Sequence, residues 1–87
     1  MLPLNYAILK LFEDGSEYDV CGVIDQLKDK YRKFRAFKPA GINESLMSAE
    51  QNGLLDAVRY ELDGNNELHV FYKANEYGGG MIRDYIK

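Results

Sequence analysis

The sequence predicts an α+β fold, mainly α, in a single domain spanning residues 1–87. Two observations lead there. Apolar residues recur at helical spacing in three successive segments between residues 3 and 52. The period then changes to two in residues 55–62 and 67–74, on either side of Asp63-Gly64-Asn65-Asn66. A chain of 87 residues holds one core of modest size.

Each element has its own warrant. Leu4, Ala7, Ile8, Leu11 and Phe12 form one apolar face of a helix over about residues 3–14, and Gly15 supplies the left-handed stop. Asp19 is a good N-cap for a second helix reaching about Arg32, with Val20, Val23, Ile24, Leu27 and Tyr31 on its buried stripe. Lys38 precedes a proline and is expected to be extended. Pro39 suits the first position of a third helix over residues 39–52, whose stripe is Ile42, Leu46 and Ala49. Asn52-Gly53-Leu54-Leu55 closes it.

Residues 55–62 alternate, with Val58, Tyr60 and Leu62 on one face. The Asp-Gly-Asn-Asn turn leads to a return strand carrying Leu68, Val70 and Tyr72. Asn75 can cap a short C-terminal helix with Tyr77, Met81, Ile82, Tyr85 and Ile86 at apolar spacing. Gly78-Gly79-Gly80 opposes that helix, at about 0.8–1 kcal/mol per glycine relative to alanine. Three helices, a β-hairpin wing and a short C-terminal helix make a winged helix-turn-helix domain.

Composition narrows the function classes. The chain is 46% apolar and 29% charged, with one cysteine, one histidine and a net charge of −3. A single cysteine builds neither a disulfide framework nor a cysteine-rich zinc site. No signal-peptide pattern and no bilayer-length apolar run is present, so the chain reads as complete, cytoplasmic and without a membrane partner. Charge is uneven: residues 28–38 sum to +5, which leaves −8 over the rest. No phosphate-binding glycine loop, nucleophile elbow or paired catalytic groups occur, so no enzyme and no cofactor is expected.

Three segments resemble PadR- and MarR-like transcriptional regulators. They are YAILKLFEDGSEYDVCGVIDQLKD at the opening, FKPAGINESLMSAEQNGLLD around the third helix, and VFYKANEYGGGMIRDYI at the exit of the hairpin. The resemblance covers nearly the whole chain. It implies a regulator that binds double-stranded DNA, usually as a dimer. The third helix departs from the pattern in lacking Lys and Arg and in carrying Glu44 and Glu50. The turn of the hairpin has no basic residue either, and the long dimerisation helix is missing or reduced to the last residues.

The candidate nucleic-acid-binding residues fall in three groups. Arg32, Lys33, Arg35 and Lys38, in the basic 31–38 segment, are placed to neutralise phosphates. A helix C-terminus attracts cations and accounts for Lys28 and Lys30, but Arg35 and Lys38 lie beyond it. Asn43, Ser48 and Gln51 lie off the buried stripe of the third helix and can hydrogen-bond base edges, although each also reads as an ordinary exposed polar residue. Gly41 permits a close backbone approach or relieves contact with the second helix. On the hairpin, Arg59 and Lys73 can hold the backbone or form an ordinary solvent face.

No metal is expected, because His69 has no second ligand at suitable spacing and Cys21 reads onto a buried face. Six tyrosines, Tyr6, Tyr31, Tyr60, Tyr72, Tyr77 and Tyr85, read as core or core-edge residues. The C-terminal Tyr77, Met81, Tyr85 and Ile86 pack on Leu4 and Ile8, or on a second copy in a homodimer formed through the N-terminal helix and C-terminal segment. The other functional reading is a winged-helix protein–protein interaction module with no DNA binding.

Overall fold

The computed structural model describes residues 2–86. The elements run α1 (Leu4–Lys10), α2 (Val20–Tyr31), α3 (Pro39–Gln51), β1 (Leu55–Leu62), β2 (Leu68–Ala74) and α4 (Glu76–Tyr85). The expected order is present in full, and the largest boundary change is in α1. After Lys10 the chain tightens: Leu11 N–H donates to Ile8 O at 3.2 Å and Phe12 N–H to Leu9 O at 3.0 Å. Such i to i−3 bonds end an α-helix in a narrower turn. The turn delivers Phe12 into the core, where its ring and that of Tyr18 pack nearly perpendicular with centroids 5.5 Å apart. Gly15 then reverses the chain at φ +86°.

Asp19 caps α2 as expected, its Oδ1 accepting from Gly22 N–H at 2.8 Å. At the other end Tyr31 is buried and its hydroxyl donates to the Leu2 carbonyl. The segment after α2 is compact. Phe34 N–H donates to Tyr31 O and Phe37 N–H to Phe34 O, at 2.9 and 3.0 Å. Phe37 packs against the core. Gly41, in the first turn of α3, lies directly against the Ala36 carbonyl oxygen, and a Cβ there would collide with it. The close approach is therefore made by the basic segment, which is pinned across the start of α3.

The end of α3 is a Schellman turn. Gly53, at φ +79°, donates to Glu50 O, and Leu54 N–H reaches back to Ala49 O, both at 3.0 Å. β1 follows at once and pairs antiparallel with β2. Ala57 faces Tyr72 but Arg59 faces Phe71, so Val58 is the extra residue of a β-bulge. Tyr18 pairs with the other edge of β2 through reciprocal backbone bonds to Tyr72 of 3.1 and 2.9 Å.

α4 forms despite its three glycines. Asn75 Oδ1 accepts from Gly78 N–H at 2.7 Å, and Asn75 Nδ2 donates to Gly53 O at 2.8 Å. Gly78 is pressed against the Leu54 carbonyl, leaving no room for a side chain. The glycine is thus a requirement of packing that outweighs its helix propensity. Ile82 and Ile86 complete a core made with Ile8, Phe12, Val23, Ile42, Leu46, Ala49, Leu55 and Tyr72.

Several surface assignments change. Val58, Tyr60 and Leu62 are exposed, because among the described residues nothing covers their part of the hairpin beyond the core. Of the six tyrosines, Tyr31 and Tyr72 are buried, whereas Tyr6, Tyr60, Tyr77 and Tyr85 are exposed. Cys21 is exposed and not a core residue. It falls one position after Val20 and off the stripe that carries Val23 and Tyr31 inward.

The glycines give two predictions, checked by urea denaturation. Gly78→Ala and Gly41→Ala should each destabilise by about 1–3 kcal/mol, the usual cost of overpacking against a fixed neighbour. Gly80, where an added methyl group would meet no neighbouring side chain or element, should behave oppositely. Gly80→Ala should stabilise the fold by about 0.8–1 kcal/mol through helix propensity.

Candidate nucleic-acid interface

The basic segment separates into engaged and free cations. Lys28 pairs with Asp25 at 3.0 Å. Arg32 pairs with Asp29 at 3.5 Å and donates from Nε to Lys28 O at 3.2 Å. These contacts belong to the last turn of α2, where the helix dipole favours positive charge. Lys33, Arg35 and Lys38 are exposed and form no ion pair among the described residues. Lys38 is the N-cap residue of α3 and supplies no side-chain cap, and the first turn holds no acid. The start of α3 therefore combines the positive end of a helix dipole with nearby cations, an arrangement suited to an anion.

The exposed side of α3 has a definite layout. Asn43, Met47 and Gln51 are all exposed, and their spacing of four sets them in one row along the helix. Asn43 Nδ2 contacts Met47 Sδ at 3.4 Å. Ser48 is exposed too, but it stands at the shoulder of α3. With Glu44, Asn5 and Leu9 it lines a groove between α1 and α3. Ser45 Oγ donates to Asn5 Oδ1 at 3.0 Å across that groove. The three polar residues chosen from the sequence are thus split, two on the row and one at its edge. Met47 completes the row, although an apolar residue off the stripe gives no polar signal in the sequence.

On the hairpin, Arg59 is heavily engaged. Its Nε lies 3.2 Å from Glu17 Oε1, another nitrogen pairs with Glu61, and the guanidinium sits 3.9 Å from the Phe71 ring centroid. Glu61 and the Phe71 ring hold it along the hairpin, and Glu17 ties it to the segment before α2. Lys73 is exposed and lies opposite Asp56 in the register.

His69, which the sequence leaves without a second ligand, sits between two carboxylates. Its Nδ1 lies 3.0 Å from Asp19 Oδ2 and its Nε2 lies 2.9 Å from Asp63 Oδ2. The bonds to Asp63 and then Asp19 raise the imidazole pKa above its ordinary value. The same bond lowers the Asp63 carboxyl pKa, aided by the backbone N–H groups of Glu67 and Asn65. Asp19 caps α2 and Asp63 begins the hairpin turn, so one ring joins the two elements. Cys21 Sγ lies beside Asp19 and His69, and these three residues could together hold a metal ion. Asp19 and His69 stand 50 positions apart, a distance at which local pattern gives no signal.

No protein-family model matches this chain. No curated protein matches it either. Among solved structures it is similar to Bacillus subtilis PadR in complex with operator DNA, with a TM-score of 0.76 and 22% identity. The alignment covers 97% of this chain and 47% of that one, so the chain spans about half the length of the PadR chain it matches. The element order, the hairpin register and this structural likeness together show a winged helix-turn-helix fold of the kind seen in PadR.

Proposed function

We propose that the chain is a cytoplasmic transcriptional regulator that binds double-stranded DNA and carries out no catalysis. The observation that carries this reading is the group of free cations, Lys33, Arg35 and Lys38, around the uncapped start of α3. The PadR structure of the same fold is a complex with operator DNA, which supports it. In this reading α3 lies in the major groove. Asn43 and Gln51 face base edges as bidentate partners of adenine, Met47 meets a thymine methyl, and Ser48 contacts the groove wall.

α3 has no cation of its own. The phosphate contacts therefore fall to Arg32, Lys33, Arg35 and Lys38. Arg59 contributes by keeping the hairpin in place, and Lys73 is the hairpin cation left to reach the backbone. A homodimer through α1 and α4 fits the exposure of Tyr6, Tyr77 and Tyr85.

Fluorescence anisotropy on duplex DNA tests this directly. Five phosphate contacts per chain, Lys73 included, predict that log K falls by about 4–5 for each tenfold rise in salt. Replacing Arg32, Lys33 and Arg35 together by Glu should abolish binding. Arg59→Gln should leave the salt slope nearly unchanged, since its charge is already compensated in the free protein. Unchanged affinity in the triple variant would reject the proposed surface.

One observation favours a second reading, a protein–protein interaction module. Tyr60, Leu62 and Leu68 are exposed near the hairpin turn, in a protein whose α3 carries Glu44 and Glu50 outward. Apolar side chains grouped this way suit a protein surface. No DNA binding at low salt, together with a stable hetero-complex lost in Leu62→Asp, would select this reading.

A further inference from the structure

We infer that Asp19, Cys21 and His69 form a binding site for one transition-metal ion of the zinc class, with Asp63 as the outer carboxylate that orients the histidine. The site is independent of the DNA-binding reading and lies at the junction of α2 with the hairpin.

Backbone structure creates the junction. The paired Tyr18 and Tyr72 lay the approach to α2 along β2. Asp19 at the N-cap and Cys21 in the first turn then come beside His69 on the strand. One donor atom from each of the three residues lies within 4.8 Å of the other two. A tetrahedral ion with bonds of about 2.0–2.3 Å separates its donors by roughly 3.3–3.6 Å. The Asp19 and His69 atoms stand 3.0 Å apart, so binding opens that pair slightly while a side-chain rotation of the exposed Cys21 brings its Sγ inward.

The donors are also prepared for the task. Asp19 divides its oxygens, Oδ1 being fixed by Gly22 N–H at 2.8 Å while Oδ2 faces His69. His69 presents Nδ1 to the site and keeps Nε2 against Asp63 at 2.9 Å. A ligating histidine whose other ring nitrogen donates to a carboxylate is the usual outer arrangement of metal centres. Asp63 Oδ1 is itself held by Asn65 N–H at 2.8 Å and Glu67 N–H at 3.0 Å. Asp19 and His69 are largely sheltered, with side-chain exposures of 12% and 25%, while Cys21 lies open to solvent and gives the ion access.

The donor set selects the ion. One thiolate, one imidazole and one carboxylate suit zinc, cobalt or nickel and disfavour magnesium and calcium, which take oxygen ligands. Binding displaces the thiol proton and the proton between His69 Nδ1 and Asp19. The two anionic ligands neutralise a divalent ion, and a water completes the fourth position.

The test is a titration of the reduced full chain with cobalt(II), followed by absorption. The expected result is a thiolate-to-cobalt charge-transfer band with tetrahedral visible bands at one ion per chain, both displaced by zinc. Cys21→Ser should lose the charge-transfer band while the far-ultraviolet circular dichroism stays unchanged, since Cys21 is exposed. His69→Gln should lose binding, and Asp63→Asn should weaken it about 10–100-fold, as outer-shell changes do. No charge-transfer band in the native chain would overturn the proposal. So would a band of undiminished affinity in His69→Gln, which would show cysteine binding cobalt alone.

Discussion

The carbonyl of Leu54 is the point on which three elements depend. The Schellman turn at Gly53 ends α3 and aims this carbonyl away from the helix. Asn75 N–H then donates to it at 3.3 Å, and Gly78 packs directly on it. Asn75 adds a side-chain bond to Gly53 O and caps α4 with its own oxygen. One two-residue turn therefore sets where α3 stops, where β1 begins and where α4 docks. The backbone groups satisfied here would otherwise be the orphans of two helix ends.

Much of the remaining electrostatics is spent inside the domain. Arg59 is occupied by Glu17 and Glu61, Lys10 pairs with Glu13 and donates to Ile86 O at the end of α4, and His69 joins two aspartates. Against that background the cations of 33–38 stand out because the fold makes no use of them. The Ala36–Gly41 contact keeps them at the start of α3. Exposed pairs such as Arg32–Asp29 contribute little to stability, so this charge can be redirected to a partner at small cost.

The parts of the fold legible in the sequence are those set by local chemistry. The Asp19 cap, the Gly15 and Gly53 reversals, Pro39 at the head of α3 and the stripe of Ile42, Leu46 and Ala49 depend on neighbours a few residues away. What escaped depends on distant partners. Period two shows that Val58, Tyr60 and Leu62 alternate, yet it cannot show that the core ends before them. Cys21 was misplaced by its apolar neighbour Val20 although helical spacing carries it off the stripe. The role of Gly78 becomes visible only when Leu54 is beside it, and the surroundings of His69 only when Asp19 arrives from the start of α2. In the candidate interface the cations could be picked from composition. Which of them are already paired is a property of the folded surface alone.

The bulge at Val58 has a further consequence, for self-association. β2 is flanked on both sides, by β1 and by Tyr18, but among the described residues β1 has a partner on one edge only. A regular open edge bearing Val58, Tyr60 and Leu62 would be a template for pairing between copies of the chain. The extra residue breaks the even run of backbone donors and acceptors along that edge. Arg59 and Glu61, charged and alternating with the apolar side chains, deepen the interruption. An exposed apolar hairpin can thus stay available to a specific partner without inviting open-ended strand addition.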